Sequence, residues 1–206
     1  FLNSFRSCFD TSQSSGFTIL EYNFDKKIGE IIQYGLIMIN TKQKTEGEYI
    51  NEFSEKVEKL LLKYKPDLVS IEQYFVNRTR QVQGISCNYY LRGILLMQCF
   101  KNKIPYIQMS SFEWKKVILD KVTVSKQDRK EFKNPQKDMI RMALKDKYEI
   151  IFEDKISSNK SKGKIQWKSD YIDSTAMAIY AIIIKYNSTK DFLIKDLTNK
   201  DVEYIN

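Results

Sequence analysis

The chain predicts an α/β fold: a mixed five-stranded sheet, an antiparallel meander joined by parallel strands, flanked by helices. Three observations predict it. The first forty residues hold three β-type segments separated by short polar turns. From about residue 46 to 109 the pattern runs helix, strand, helix, strand, which implies parallel crossovers into the same sheet. A long, mostly apolar run, YIDSTAMAIYAIIIKY, then reads as a helix packed against that sheet.

Residues 5–10, 17–24 and 28–39 form the meander, with turns at SQSSG and around NFDKK. GEIIQYGLIMI carries the strongest β signal of the three, whereas Arg6 and Ser7 interrupt the first strand. Between residues 46 and 64, Tyr49, Ile50, Phe53, Val57, Leu60, Leu61 and Tyr64 recur at helical spacing, and Pro66 ends that helix. LVSIE is the fourth strand; a helix over residues 81–101 leads to the fifth, IPYIQM. Helices over 111–120 and 135–145 follow, with a basic connection between them. Residues 153–168, rich in Ser, Lys and Asn, read as a basic mobile loop. The last helix starts at Ser169 as candidate N-cap, with Asp170 in its first turn. At 206 residues, the expectation is one domain spanning 1–206.

Lys and Arg number 34 against 26 acids, a net charge of +8 that favours a polyanionic partner, although Lys, Asn and Ile abundance also follows from an AT-rich coding sequence. Cys8, Cys87 and Cys99 are odd in number and lack a CxxC pair, so neither a disulfide framework nor a zinc site is expected. No apolar run reaches the roughly 18 residues of a membrane span. The first residues, FLNSFRSC, lack the basic and apolar regions of a signal peptide, so the expected location is intracellular. Histidine is absent altogether. That excludes Ser-His-Asp hydrolysis, zinc-His hydrolysis and His-based nuclease chemistry, and leaves carboxylates with a divalent metal as the chief route to phosphodiester hydrolysis.

Four acids have the placement that route needs. Asp10 ends the first strand, Glu72 ends the fourth, and Asp170 and Asp173 lie three apart on one face at the head of the last helix. Taken singly, Asp10 is a turn residue and Asp170 a helix-start residue. Asp173 and Glu72 are harder to place structurally, because a charge beside a buried helix or strand needs a partner. Together, four carboxylates from three elements could hold a pair of hard cations about 4 Å apart, able to activate water and stabilise a leaving oxygen.

FDTSQSSGFTIL, IEQYF and SDYIDSTAMAIYA resemble, in order and spacing, the three signature blocks of the RuvC family of Holliday junction resolvases, which have an RNase H-like fold. The resemblance runs from about residue 5 to 186. It implies metal binding by Asp10, Glu72, Asp170 and Asp173, with Mg²⁺ or Mn²⁺ as cofactor, two ions per site. It further implies that Phe75 is the aromatic inserted at the junction centre, and that Lys115 or Lys116, and Lys133, stand beside the scissile phosphate. Arg78 and Arg80 are candidate phosphate contacts. Two departures stand out: Thr11 and Ser12 replace the family's usual Gly after the first acid, and residues 107–169 are longer and richer in Lys than in a compact bacterial member. The second suggests a viral, phage or organellar variant.

The function expected is paired, metal-dependent cutting of four-way or branched DNA by a homodimer. The dimer face is expected on the helix around 86–100, where Tyr89, Tyr90, Leu91, Ile94 and Leu95 offer more apolar surface than one core-facing stripe needs; burial on both sides within one chain is the alternative. Another RNase H-like nuclease acting on RNA/DNA hybrid, or a non-catalytic junction binder, are the competing readings.

Overall fold

A computed structural model describes residues 3–10, 14–39, 44–73, 85–120, 126, 130, 135–152, 155–156, 166–167, 170–186, 193–195 and 203–205. Residues 3–10, 14, 85–87 and the short strands after residue 152 enter as backbone only. Strands β1 (Asn3–Asp10), β2 (Ser14–Asn23) and β3 (Ile28–Met38) form the antiparallel meander, with Asp10 opposite Gly16 at one end of the first pair. Helix α1 (Glu46–Tyr64) begins at a reciprocal cap between Thr45 and Glu48. It stops where Lys65 turns left-handed (φ 44°) and donates its N–H to Leu61 O, directly before Pro66. Strand β4 (Leu68–Gln73) runs parallel to β1, and helix α2 (Ile85–Lys101) leads to β5 (Tyr106–Ser110), parallel to β4.

Helix α3 (Ser111–Leu119) follows without a break, because Ser110 is both the last strand residue and an N-cap paired with Glu113. Helices α4 (Pro135–Tyr148) and α5 (Asp170–Tyr186) complete the helical set of the described residues. The sheet order is β5-β4-β1-β2-β3, and it does not stop at five strands. Short strands β8 (Leu193–Lys195) and β9 (Glu203–Ile205) both pair in parallel with β3, giving seven. Three-residue strands carry too little periodicity to be read from sequence. Within the expected mobile loop, β6 (Lys155–Ile156) and β7 (Gln166–Trp167) form an antiparallel pair; the rest of 153–168 and the candidate cap Ser169 lie outside the described residues.

Alternation along the strands feeds two cores. Phe17 and Ile19 point to the side covered by α1 and α2, with Phe53, Val57, Leu91 and Leu95. Leu20 and Tyr22 point to the other side, with Trp114, Ile140 and the α5 residues Ala176 and Ile179. In β3, Ile31 and Tyr34 both join the second core although they lie three positions apart, an offset that puts residues of a regular strand on opposite faces. The register explains this: Leu20 pairs with Ile31 and Ile19 with Gln33, so the strand bulges at Ile32 and its facing pattern inverts.

Helix α2 corrects one expectation. Leu91 and Leu95 are fully buried and Ile94 nearly so, all within the chain's own core against α1. The outward stripe keeps Tyr90 of the expected set and adds Met97 and Phe100, the last 84% exposed. Spacings of seven and three put those residues on one face, a phase that the nearly all-round apolar pattern of this helix concealed.

Candidate functional site

Strand pairing brings the backbones of Glu72 and Asp10 side by side. β1 and β4 run parallel with Phe9 beside Ile71, so Asp10 and Glu72 are the next residues along at the same ends of neighbouring strands. Parallel pairing places both at carboxyl ends, the usual location of sites on such sheets.

Asp170 and Asp173 arrive from α5, and β2 holds that helix. A Cβ built on Gly16 would lie 2.0 Å from Asp170 O and 2.7 Å from Tyr171 N, so the helix start is seated directly on the strand backbone opposite Asp10. One turn deeper, Thr18 Oγ1 hydrogen-bonds Ser174 Oγ at 2.8 Å and Thr175 Oγ1 at 2.9 Å, all three residues fully buried. These hydroxyls also donate back to Tyr171 O, at 3.0 and 2.8 Å, leaving no buried hydroxyl of the set unsatisfied. Ala178, one turn beyond Ser174 on the same face and fully buried, adds no bulk against this approach, and the helix start that carries Asp170 and Asp173 rests on the backbone of Gly16.

The electrostatics are those of carboxylates held partly out of water. Asp173 is 8% exposed, and its Oδ1 is buried without a hydrogen-bond partner. Burial pushes its carboxyl above the ordinary range; the Lys137 and Lys115 charges oppose that shift and Asp170 reinforces it. Glu72 is also pushed up by burial, opposed by a 3.2 Å hydrogen bond from Trp114 Nε1 and by Lys115, and reinforced by the negative charge of Asp173. Lys137, on α4, places its Nζ 3.5 Å from Asp170 Oδ1 and 3.4 Å from Asp173 Oδ2.

The α3 lysines separate. Lys115 is half-buried, lies over the Trp114 ring at 5.0 Å, and its charge acts on both Glu72 and Asp173. Lys116 is exposed and lines, with Lys115, Phe112 and Gln136, an open cleft of about 580 Å³ between α3 and α4. Phe75, Arg78, Arg80 and Lys133 lie outside the described residues, as does the Asp10 side chain. Three contributors escaped sequence reasoning: Gly16, Trp114 and Lys137. A lone Gly inside a strand signals close backbone approach, and a buried Trp needs an acceptor, so the first two had a signal; Lys137 looked like any other lysine of a basic chain.

Among the described residues, no three Asp, Glu or Cys side chains gather closely enough to enclose an ion unaided. The donor set nevertheless suits a hard divalent cation: all oxygen, with one buried carboxylate oxygen lacking any hydrogen-bond partner. Among the described residues, no helix is long and apolar enough to cross a membrane.

Comparison with known proteins places the chain in a family. The family model for crossover junction endodeoxyribonuclease RuvC matches residues 10–145, beginning at the first acid. RuvC of Ehrlichia ruminantium (strain Gardel) is 35% identical over 107 residues, 51% of this chain and 64% of that protein, and RuvC of Prochlorococcus marinus is 24% identical over 103 residues, 50% of this chain and 63% of that protein. The aligned part therefore spans just under two thirds of the curated relatives. Two solved structures share the fold. T. thermophilus RuvC in complex with a Holliday junction substrate superposes with a TM-score of 0.60 at 14% identity, covering 85% of this chain and 90% of that one. The yeast mitochondrial Holliday junction resolvase Ydc2 gives 0.53 at 15% identity, covering 84% and 75%. With α/β architecture, acids at the ends of adjacent parallel strands and a family match over most of its length, the chain belongs to the RuvC family of crossover junction endodeoxyribonucleases.

Proposed function

We propose that the protein is a divalent-metal-dependent endodeoxyribonuclease that resolves four-way DNA junctions by paired phosphodiester hydrolysis. The observation that carries this reading is that Asp173, paired with Asp170 at the head of a helix seated on the strand backbone opposite Asp10, lies near enough for its charge to act on Glu72. A non-catalytic binder gains nothing from massed carboxylates facing phosphate, which argues against that alternative.

In this reading Asp10, Glu72, Asp170 and Asp173 hold Mg²⁺ or Mn²⁺, two ions per site. The ions supply Lewis acidity and a lowered water pKa. The chain's own residues do the rest. Trp114 orients Glu72 through its N–H, and the Thr18 hydroxyl cluster keeps α5 from sliding along β2. Lys115 is placed to stabilise negative charge developing near Glu72 and Asp173. Lys116 and Lys133 contact neighbouring phosphates, Arg78 and Arg80 extend that contact, and Phe75 inserts at the junction centre.

The remaining features follow the same reading. Residues 1–206 form one RNase H-like domain acting inside the cell. Two copies pair through the exposed Tyr90, Met97 and Phe100 stripe of α2, because a two-fold enzyme matches paired cuts in a two-fold substrate.

The test is incubation with labelled four-way junction, linear duplex, flap and RNA/DNA hybrid, in Mg²⁺ or EDTA. Selective, Mg²⁺-dependent cutting of the junction is expected, lost in Asp10→Asn and Glu72→Gln while junction binding persists. Equal cutting of linear duplex rules the proposal out, and preferred cutting of hybrid moves the protein to another nuclease class.

A further inference from the structure

We infer that Lys137 is a built-in counter-cation of the acidic site, a positioning residue that holds the Asp170 and Asp173 carboxylates together and competes with an entering divalent ion for them. The inference rests on the metal-binding role proposed above for those acids.

One ammonium spans both carboxylates, at 3.5 Å from Asp170 Oδ1 and 3.4 Å from Asp173 Oδ2. It arrives from α4, an element separate from those bearing the acids, and the packing of α4 sets its direction. Asp138, Met139 and Ile140 are buried immediately beyond it, and Asp138 is anchored by Arg141 Nε at 3.0 Å. With that face turned inward, the adjoining Lys137 emerges at the edge of the core, where its arm reaches the first turn of α5. The contact also answers a physical need. Two like charges one helical turn apart, one of them nearly buried, repel each other and are costly to desolvate unless a cation stands between them.

A lysine suits that place better than a fixed partner. Its side chain is one third exposed, so the flexible stem can withdraw towards water. The 3.4–3.5 Å separations are those of an ion pair without tight hydrogen bonds, and such a contact yields to a doubly charged ion. Asp173 Oδ1 is the oxygen Lys137 leaves unsatisfied, and it offers an entering cation a first foothold. Lys137 therefore keeps the pair ordered before the cation arrives and weakens the cation's hold by electrostatic repulsion.

Mn²⁺ is titrated into the full chain and its 206-residue Lys137 variants, with free Mn²⁺ read by electron paramagnetic resonance and thermal unfolding followed in parallel. K137M is expected to bind Mn²⁺ about tenfold more tightly than the parent protein, the effect of removing roughly one partly screened charge-charge interaction. K137R keeps the charge and should stay within about twofold of the parent. Without metal, K137M should melt below the parent, and saturating Mn²⁺ should narrow that gap. Equal or weaker Mn²⁺ binding by K137M overturns the inference; if K137M does not fold, K137Q carries the same comparison. A parent protein that takes up no Mn²⁺ removes both this inference and the metal-dependent function, whereas a parent that binds Mn²⁺ and cuts junctions beside a K137M no tighter than itself removes this inference alone.

Discussion

Gly16→Ala adds one methyl group at the place where β2 supports the helix carrying half of the acidic set. The new Cβ would lie 2.0 Å from Asp170 O, 2.2 Å from Asp170 C and 2.7 Å from Tyr171 N. All three are backbone atoms, so no side-chain rotation relieves the overlap. Restoring an ordinary contact of about 3.4 Å from 2.0 Å needs about 1.4 Å of displacement at the start of α5. The hydroxyl cluster of Thr18, Ser174 and Thr175 resists that movement, because its hydrogen bonds span the same interface. Overpacking of this kind costs about 1–3 kcal/mol, which for a domain of this size lowers Tm by roughly 2 to 12 °C. Activity should fall further than stability, since misplacing reacting groups by about 1 Å costs on the order of a hundredfold. The assay is junction cleavage under single-turnover conditions at a temperature where circular dichroism shows the variant folded. A variant that cuts at the parental rate, with unchanged Tm, would refute the claim that Gly16 seats the site.

Two further predictions address charge and assembly. In metal-free protein Glu72 and Asp173 are both pushed up by burial, so the native state binds protons more readily than the unfolded chain, and their contribution to stability improves as pH falls through the raised values towards the ordinary 4.5 and 3.8. The Tm gain from Mg²⁺ should fade across the same window, because the cation requires the ionised carboxylates. The difference between Mg²⁺ and EDTA samples isolates this effect from surface carboxylates such as Glu48 and Glu113, held low by hydrogen bonds from the Thr45 and Ser110 backbone; a gain constant from pH 8 to pH 4 would contradict the assignment. Phe100→Glu, at a position 84% exposed, should leave Tm within about 1 °C, as expected for a surface change, while converting a dimer to monomer in sedimentation. An unchanged dimer would move the interface away from α2.

Much of the fold was legible because its elements are long and periodic. The α1 stripe from Tyr49 to Tyr64 and the capping residues around it define the helix at both ends. LVSIE and IPYIQM are short apolar runs bounded by breakers, and they became the adjacent parallel strands β4 and β5. The strands at 193–195 and 203–205 were not legible, since their pairing partner, β3, lies more than 150 residues away in sequence. The outward face of α2 was misread for a related reason: apolar residues surround most of that helix, and only contact with α1 decides which of them point in.

The acids divide in the same way. Local sequence determined their number, their chemistry and the three-residue spacing of Asp170 and Asp173, because strand ends and a helix start are local features. It also excluded imidazole chemistry outright, as histidine is absent. Tertiary structure decided that Glu72 lies next to Asp10 through strand register, that Gly16 admits α5 to within contact of β2, and that Lys137 rather than a neighbouring lysine bridges the helical pair. Such facts depend on which surfaces meet, and a charge held between two carboxylates acquires its role only when packing has removed enough water for the separation to matter.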